Sequence, residues 1–274
     1  MISADFHTHT CFSSDSEAKI EDMLDKAVEK GLKTYCITDH YDYMFPQKYK
    51  DSFTFSLDDY FDELLRLREK YDKKLDVRIG IEEGYRSEKD IKDEVRMFYS
   101  KLADKYDFDF IIGSTHILRG MDPYYKEYWD GVTKEEGLKE YFLSVLDNCE
   151  NYDNFDVYGH IDYIARVIPG TDKDYNTSDY MDIIDEILKK LIKNGRGIEI
   201  NTAGIKYGLK FAHPKPEIIK RYRKLGGSII TVGSDAHRPE HIAYAFDTIP
   251  ELLKECGFDY YTVFKRRKPE FIKI

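Results

Sequence analysis

Asp5-Phe6-His7-Thr8-His9 opens the chain with two histidines one residue apart. In an extended strand His7 and His9 project from one face, because side chains alternate. The pattern then recurs. Tyr35-Cys36-Ile37-Thr38-Asp39-His40, Ile79-Gly80-Ile81-Glu82-Glu83, Ile111-Ile112-Gly113-Ser114-Thr115-His116 and Val157-Tyr158-Gly159-His160 are apolar runs ending in His or a carboxylate. A sixth, from Ile229 through Val232-Gly233-Ser234 to Asp235-Ala236-His237, repeats the spacing of the first. A lone His-x-His pair reads most simply as buried and hydrogen-bonded. Six such endings, spread from His7 to His237, indicate strand ends gathered around one metal site.

Amphipathic stretches separate the runs. Residues 17–30 set Ile20, Leu24, Ala27 and Val28 on one face and stop at Gly31. Ser56 starts the next, with Leu57, Phe61, Leu64 and Leu65 expected inward. Ser87 to Asp90 and Thr133 to Glu136 have capping-box form. Residues 178–193 carry Ile183, Ile184, Ile187, Leu188 and Leu191, and Pro214 and Pro216 open a helix that runs to Leu225. A seventh strand fits Gly197-Ile198-Glu199-Ile200-Asn201. The order is β then α, seven times, which indicates a parallel α/β architecture. An open sheet would hold first and last strand ends far apart, whereas a barrel brings them to one face. The expected fold is therefore a single-domain TIM-like barrel over residues 1–274, with its metal site at the C-terminal ends of the strands. Residues 41–60 and 118–133 are read as long βα-loops over the site. The tail 258–274 is read as a peripheral strand and a solvated basic end.

Composition narrows the chemistry. Net charge is −10, from 42 Lys and Arg against 52 Asp and Glu, so no nucleic-acid partner is expected. An anionic substrate would need a local positive centre, which clustered metal ions supply. No signal-like start and no run of about 18 apolar residues is visible, so no membrane partner is expected. Cys11, Cys36, Cys149 and Cys256 are widely spaced and read as reduced thiols of a cytoplasmic protein. A homodimer is compatible with the sequence but not specified by it.

At His7-Thr8-His9, Asp15, Thr38-Asp39-His40, Gly80-Ile81-Glu82, His116, His160 and Ser234-Asp235-Ala236-His237, the chain resembles the polymerase-and-histidinol-phosphatase (PHP) superfamily. The resemblance implies a distorted (β/α)7 barrel holding three divalent ions. Carried onto this sequence, it places His7, His9, Glu82 and Asp235 on one ion, and Asp15, His40 and His237 on a second. Glu82, His116 and His160 hold the third, with Glu82 bridging. This donor set suits Zn, Fe or Mn without separating them. Three divalent ions bring six positive charges, and Asp15, Glu82 and Asp235 return three. A phosphate monoester dianion with one hydroxide balances the remainder. Asp39 is read as an acceptor orienting a histidine, and Glu83 as facing away from Glu82.

The expected reaction is attack on phosphorus by a metal-bound hydroxide, held by His7, His9, Glu82 and Asp235 with His40 and His116. Tyr128-Trp129-Asp130-Gly131, Gly159-His160-Ile161-Asp162-Tyr163-Ile164-Ala165-Arg166 and Glu199-Ile200-Asn201-Thr202-Ala203-Gly204-Ile205-Lys206 resemble the histidinol-phosphatase branch. That likeness implies hydrolysis of the small-molecule phosphate monoester L-histidinol phosphate. Arg166 is the first candidate for phosphate, because a guanidinium can grip two oxygens. Lys206 is a second and Arg119 a third. His213 and His241 are left over as possible acids, with exposed loop or helix positions as the plainer reading. Tyr41, Tyr43, Phe45, Tyr124, Tyr125 and Trp129 are candidate walls for an imidazole. The alternatives are a PHP phosphoesterase acting on protein phosphotyrosine or nucleic-acid ends, and a non-catalytic metal-binding regulator.

Overall fold

The structure is a computed structural model and describes residues 1–49 and 53–274. The expected loop 41–60 therefore lies partly outside the described residues. Eight parallel strands carry the site: β1 (Ala4–Asp5), β2 (Thr34–Ile37), β3 (His40–Tyr41), β4 (Asp76–Gly84), β5 (Phe110–Ser114), β6 (Val157–Tyr158), β7 (Gly197–Asn201) and β8 (Ile230–Gly233). Seven of them run round in the order β1-β2-β4-β5-β6-β7-β8, and β3 pairs with the upper half of β4. Closure comes just beyond the regular strands. Phe6 N donates to Val232 O at 3.0 Å, Asp235 N to His7 O at 2.8 Å, and Thr8 bridges Ala236 in parallel. The result is the expected distorted seven-stranded barrel.

Alternation fixes what enters the barrel. On β4, Arg78, Gly80 and Glu82 share one face, while Val77, Ile79, Ile81 and Glu83 lie on the other. Glu83 accordingly bonds Tyr85 Oη at 2.8 Å and Asn154 at 2.7 Å, outside the barrel. Burial pushes its carboxyl up to about 8. Tyrosines tie the outer helices to strand carbonyls. Tyr60 Oη donates to Gly80 O at 2.9 Å, and Tyr99 Oη to Tyr41 O at 2.6 Å.

Several local expectations shift. Leu65 is exposed, and Tyr60, Leu67 and Tyr71 supply the buried stripe of helix Leu57–Tyr71 beside Phe61 and Leu64. Thr133 and Glu136 form their capping box. Ser87 and Asp90 do not, because the helix starts later at Lys92 and Ser87 pairs with Ser144. The tail is a hairpin rather than a strand with a loose end: β9 (Tyr260–Lys265) pairs antiparallel with β10 (Lys268–Lys273). It seals the barrel at the N-terminal ends of the strands. Phe264 packs on Phe110, Thr262 accepts from Ile230 N, and the Arg267 guanidinium bonds Asp156. Burying an apolar barrel mouth explains why a basic-looking tail orders itself. Among the described residues no helix is long and apolar enough to cross a membrane.

Candidate metal centre

Two residues beyond the ends of β1, β5, β6 and β8 come His7, His116, His160 and Asp235. Their side chains meet over the barrel mouth, around Glu82 and His9. His160 (φ +22°) and Asp235 (φ +52°) reach that pose in the left-handed region, a strained backbone held by its surroundings. His40 and Glu82 are register partners across β3 and β4. At Gly233 an added Cβ would stand 2.3 Å from His7 Cβ, so only glycine lets β8 approach the first histidine this closely.

Glu82 lies at the centre. Its Oε1 is 2.9 Å from His160 Nε2 and 3.3 Å from His116 Nε2, and it accepts from Ser114 Oγ at 2.6 Å. Its Oε2 is 2.7 Å from His40 Nδ1, 3.2 Å from His7 Nε2 and 3.6 Å from His9 Nε2. Asp235 Oδ1 lies 3.3 Å from His9 Nε2 and 3.5 Å from His237 Nδ1. Asp15, near the solvent side, lies 3.1 Å from His237 Nε2 and 3.7 Å from His40 Nε2. All nine residues expected as ligands thus converge. Four overlapping triads bring ligand atoms within 4.8 Å: His7-His9-Glu82, His9-His40-His237, Glu82-His116-His160 and His40-Asp42-His116.

These side chains fit divalent cations. His7 Nε2, His9 Nε2, His40 Nδ1 and Glu82 Oε2 are buried without a hydrogen-bond partner among the described residues. Each such group costs about 1–3 kcal/mol unless something pairs with it. Histidine nitrogens and a carboxylate aimed at one another are a donor set for borderline transition metals.

The far ring nitrogens are occupied, which aims the near ones. His7 Nδ1 lies 2.6 Å from Glu199 Oε1, and His116 Nδ1 lies 2.8 Å from Asp42 Oδ1. His9 Nδ1 meets Ser13 Oγ at 3.2 Å, and that hydroxyl donates to Asp39 Oδ1 at 2.7 Å. Asp39 therefore works through Ser13, not on a histidine directly. Sequence reasoning missed Asp42 and Glu199. The available signal was their parity: Asp42 is two residues past His40, and Glu199 alternates with Ile198 and Ile200 on an all-buried strand. Glu199 and Asp42 add two negative charges to the earlier count, and Arg166 and Lys206 offset them.

Burial alone would depress the His7 imidazole, but Glu199 and Glu82 hold it well above its usual range. His9 moves well below, through burial and the neighbouring His40 and His237. Burial would raise Glu82, yet His7, His40 and His116 hold it well below the usual carboxylate range. Burial likewise acts against Asp235, and His9, His7 and Arg166 outweigh it.

Above the cluster lies a cleft of about 1000 Å³. Arg166 lines it, with Nη1 3.0 Å from Asp235 Oδ2 and the guanidinium packed on the rings of Tyr163 and Tyr207. Lys206 Nζ donates to Asp235 O at 2.8 Å. Arg119 is turned away, paired with Glu140 over Tyr128. Phe45, Tyr124 and Tyr125 line the cleft, joined by Phe53. Tyr41 and Tyr43 stack on Phe98 instead, and Trp129 is buried against Gly137. His213 is not exposed: it is fully buried, with Nδ1 2.6 Å from Asp162 Oδ1. His241 lines the cleft from the three-residue 3-10 helix Pro239–His241.

A closed parallel barrel with clustered His and carboxylate ligand groups at its C-terminal face defines a class of metal-dependent hydrolases. The PHP domain model matches residues 5–203, and the chain belongs to that family. It is 33% identical to a histidinol-phosphatase of Lactococcus lactis over 98% of this chain and 96% of the relative. It is 34% identical to a probable histidinol-phosphatase of Clostridium acetobutylicum, covering 92% and 93%. The crystal structure of the Lactococcus lactis histidinol phosphate phosphatase, complexed with Zn, L-histidinol and phosphate, superposes with a TM-score of 0.86 at 32% identity, covering 98% of both chains.

Proposed function

We propose that this chain is a histidinol-phosphatase: it hydrolyses L-histidinol phosphate to L-histidinol and phosphate in histidine biosynthesis, as a single-domain cytoplasmic enzyme. The observation that carries the reading is the convergence of nine ligand-type side chains on the floor of a cleft whose wall presents Arg166. In this reading three divalent ions, with Zn first among the candidates, are held by the ligand sets named above. When bound, they supply Lewis acidity and a lowered pKa for coordinated water.

The chain's own residues do the rest. Glu199, Asp42 and the Ser13–Asp39 pair fix the tautomers of His7, His116 and His9, so each presents an Nε2 lone pair to the centre. Glu82 and Asp235 stay ionised across the working pH range. Arg166 is held between two tyrosine rings and positioned to bind phosphate oxygens, with Lys206 beside it as a second cation. Phe45, Phe53, Tyr124 and Tyr125 from the two long loops supply the aromatic wall of the cleft.

The test is kcat/KM for histidinol phosphate, phosphotyrosine and p-nitrophenyl phosphate, with metal content measured on the same preparations. Histidinol phosphate should be preferred by orders of magnitude. Equal rates on all three would overturn the substrate while sparing the site. In H9A and D235A, metal and activity should be lost together. Loss of metal with full activity would overturn the catalytic role.

A further inference from the structure

The segments that line the cleft differ in charge. The segments after β6, β7 and β8 contribute the cations, Arg166 and Lys206, gathered around Asp235. The segments after β3 and β5 contribute Phe45, Phe53, Tyr125 and two carboxylates: Asp42, which is paired with His116, and Asp122.

Asp122 is held in place by its backbone. Its N–H donates to Tyr49 Oη at 3.0 Å, and its Oδ1 accepts from Tyr124 N at 2.8 Å. Tyr49 stacks on Tyr125 at 4.4 Å between ring centroids, which joins the two loops beneath Asp122. No Lys or Arg is paired with this carboxylate among the described residues, whereas Asp156 is paired with Arg267, Asp109 with Arg68 and Glu88 with Arg86. A half-buried carboxylate facing a cleft with one backbone donor and no Lys or Arg partner among the described residues retains unused acceptor capacity. The remaining partner would come from a ligand.

We propose that Asp122 binds the α-ammonium group of the substrate and so makes the enzyme selective for aminated phosphate esters. The proposal rests on the histidinol phosphate reading. That molecule is a dianion at one end and carries an ammonium and an imidazole at the other. Phosphate lies toward Arg166 and the metal floor, the ammonium meets Asp122, and the imidazole is left to the rings of Phe45, Phe53 and Tyr125. A phosphate ester without the amine would leave Asp122 desolvated and unpaired, which selects against it. The same carboxylate would disfavour anionic alternatives such as a phosphotyrosine peptide carrying acidic neighbours.

The experiment compares histidinol phosphate with its deamino analogue, 3-(imidazol-4-yl)propyl phosphate, in the metal-loaded wild type, D122N and D122A. A charge-assisted hydrogen bond predicts a wild-type kcat/KM ratio of about 10–100 in favour of the amine. In both variants the ratio should collapse toward one. The inhibition constant of L-histidinol should rise about tenfold or more relative to that of inorganic phosphate. Because both readouts are ratios, general damage to the site does not move them. Variants that keep the wild-type ratios would overturn the proposal. A wild type with no preference for histidinol phosphate over p-nitrophenyl phosphate would instead overturn the substrate reading, and this proposal with it.

Discussion

His7 Nδ1 lies 2.6 Å from Glu199 Oε1, while His7 Nε2 faces Glu82 with no hydrogen-bond partner of its own. One carboxylate orients the imidazole and the other shares its target. E199Q should lower activity and metal affinity by about 10–100-fold, with the fold retained. Metal titration of the variant, together with kcat/KM at saturating metal, checks this. Unchanged metal affinity would remove Glu199 from the site.

Arg166 is 18% exposed and packs between two tyrosines, a pose for a planar guanidinium and not for an ammonium. R166A should lose about 100-fold in kcat/KM on histidinol phosphate, and R166K should recover only part of it. Full recovery by lysine would show that charge alone matters there.

The hairpin makes a prediction about stability rather than catalysis. R267A leaves the Asp156 carboxylate, 3% exposed, with Ile111 N at 2.9 Å but without its cation. Unfolding in urea should report a loss of about 2–3 kcal/mol. kcat/KM at 25 °C should stay within about twofold, since the hairpin lies at the opposite end of the barrel.

Asp122 also gives the pH dependence. Burial pushes its carboxyl up to about 6 from an ordinary value of 3.8. Between those values the unfolded chain has released a proton that the folded chain retains, so this group lowers stability as pH rises. D122N should therefore gain on the wild type by about 2 kcal/mol between pH 4 and pH 7, and by little more above that. Urea titrations of the metal-free proteins across this range measure it. A pH-independent difference would mean that Asp122 is not desolvated.

Much of the site could be read from residues alone because the information is local. The expected ligands are His, Asp or Glu, all but Asp15 lie at the ends of apolar runs, and six such endings in β-then-α order point to a barrel. The same logic could not reach Asp42 and Glu199. Their role depends on which histidine nitrogen lies across the barrel, a contact spanning 192 residues for His7 and Glu199. Leu65 and the Ser87 cap failed for a related reason. Several apolar faces and starts are locally acceptable, and packing against strands far along the chain selects one.

By itself the sequence determined the α/β order and the six ligand-type strand endings, since periodicity and donor type are properties of short segments, and its resemblance to the PHP family implied the nine-residue set and the class of chemistry it permits. Tertiary structure alone decided how those residues are aimed. It left four buried ligand atoms unpaired, Glu82 Oε2 among them, put Asp235 and His160 in left-handed backbone, and brought Arg166 and Asp122 to the lining of one cleft. The physical reason is ring closure. Only when Phe6 bonds to β8 and His7 to the segment after it do strand ends more than 200 residues apart share one centre.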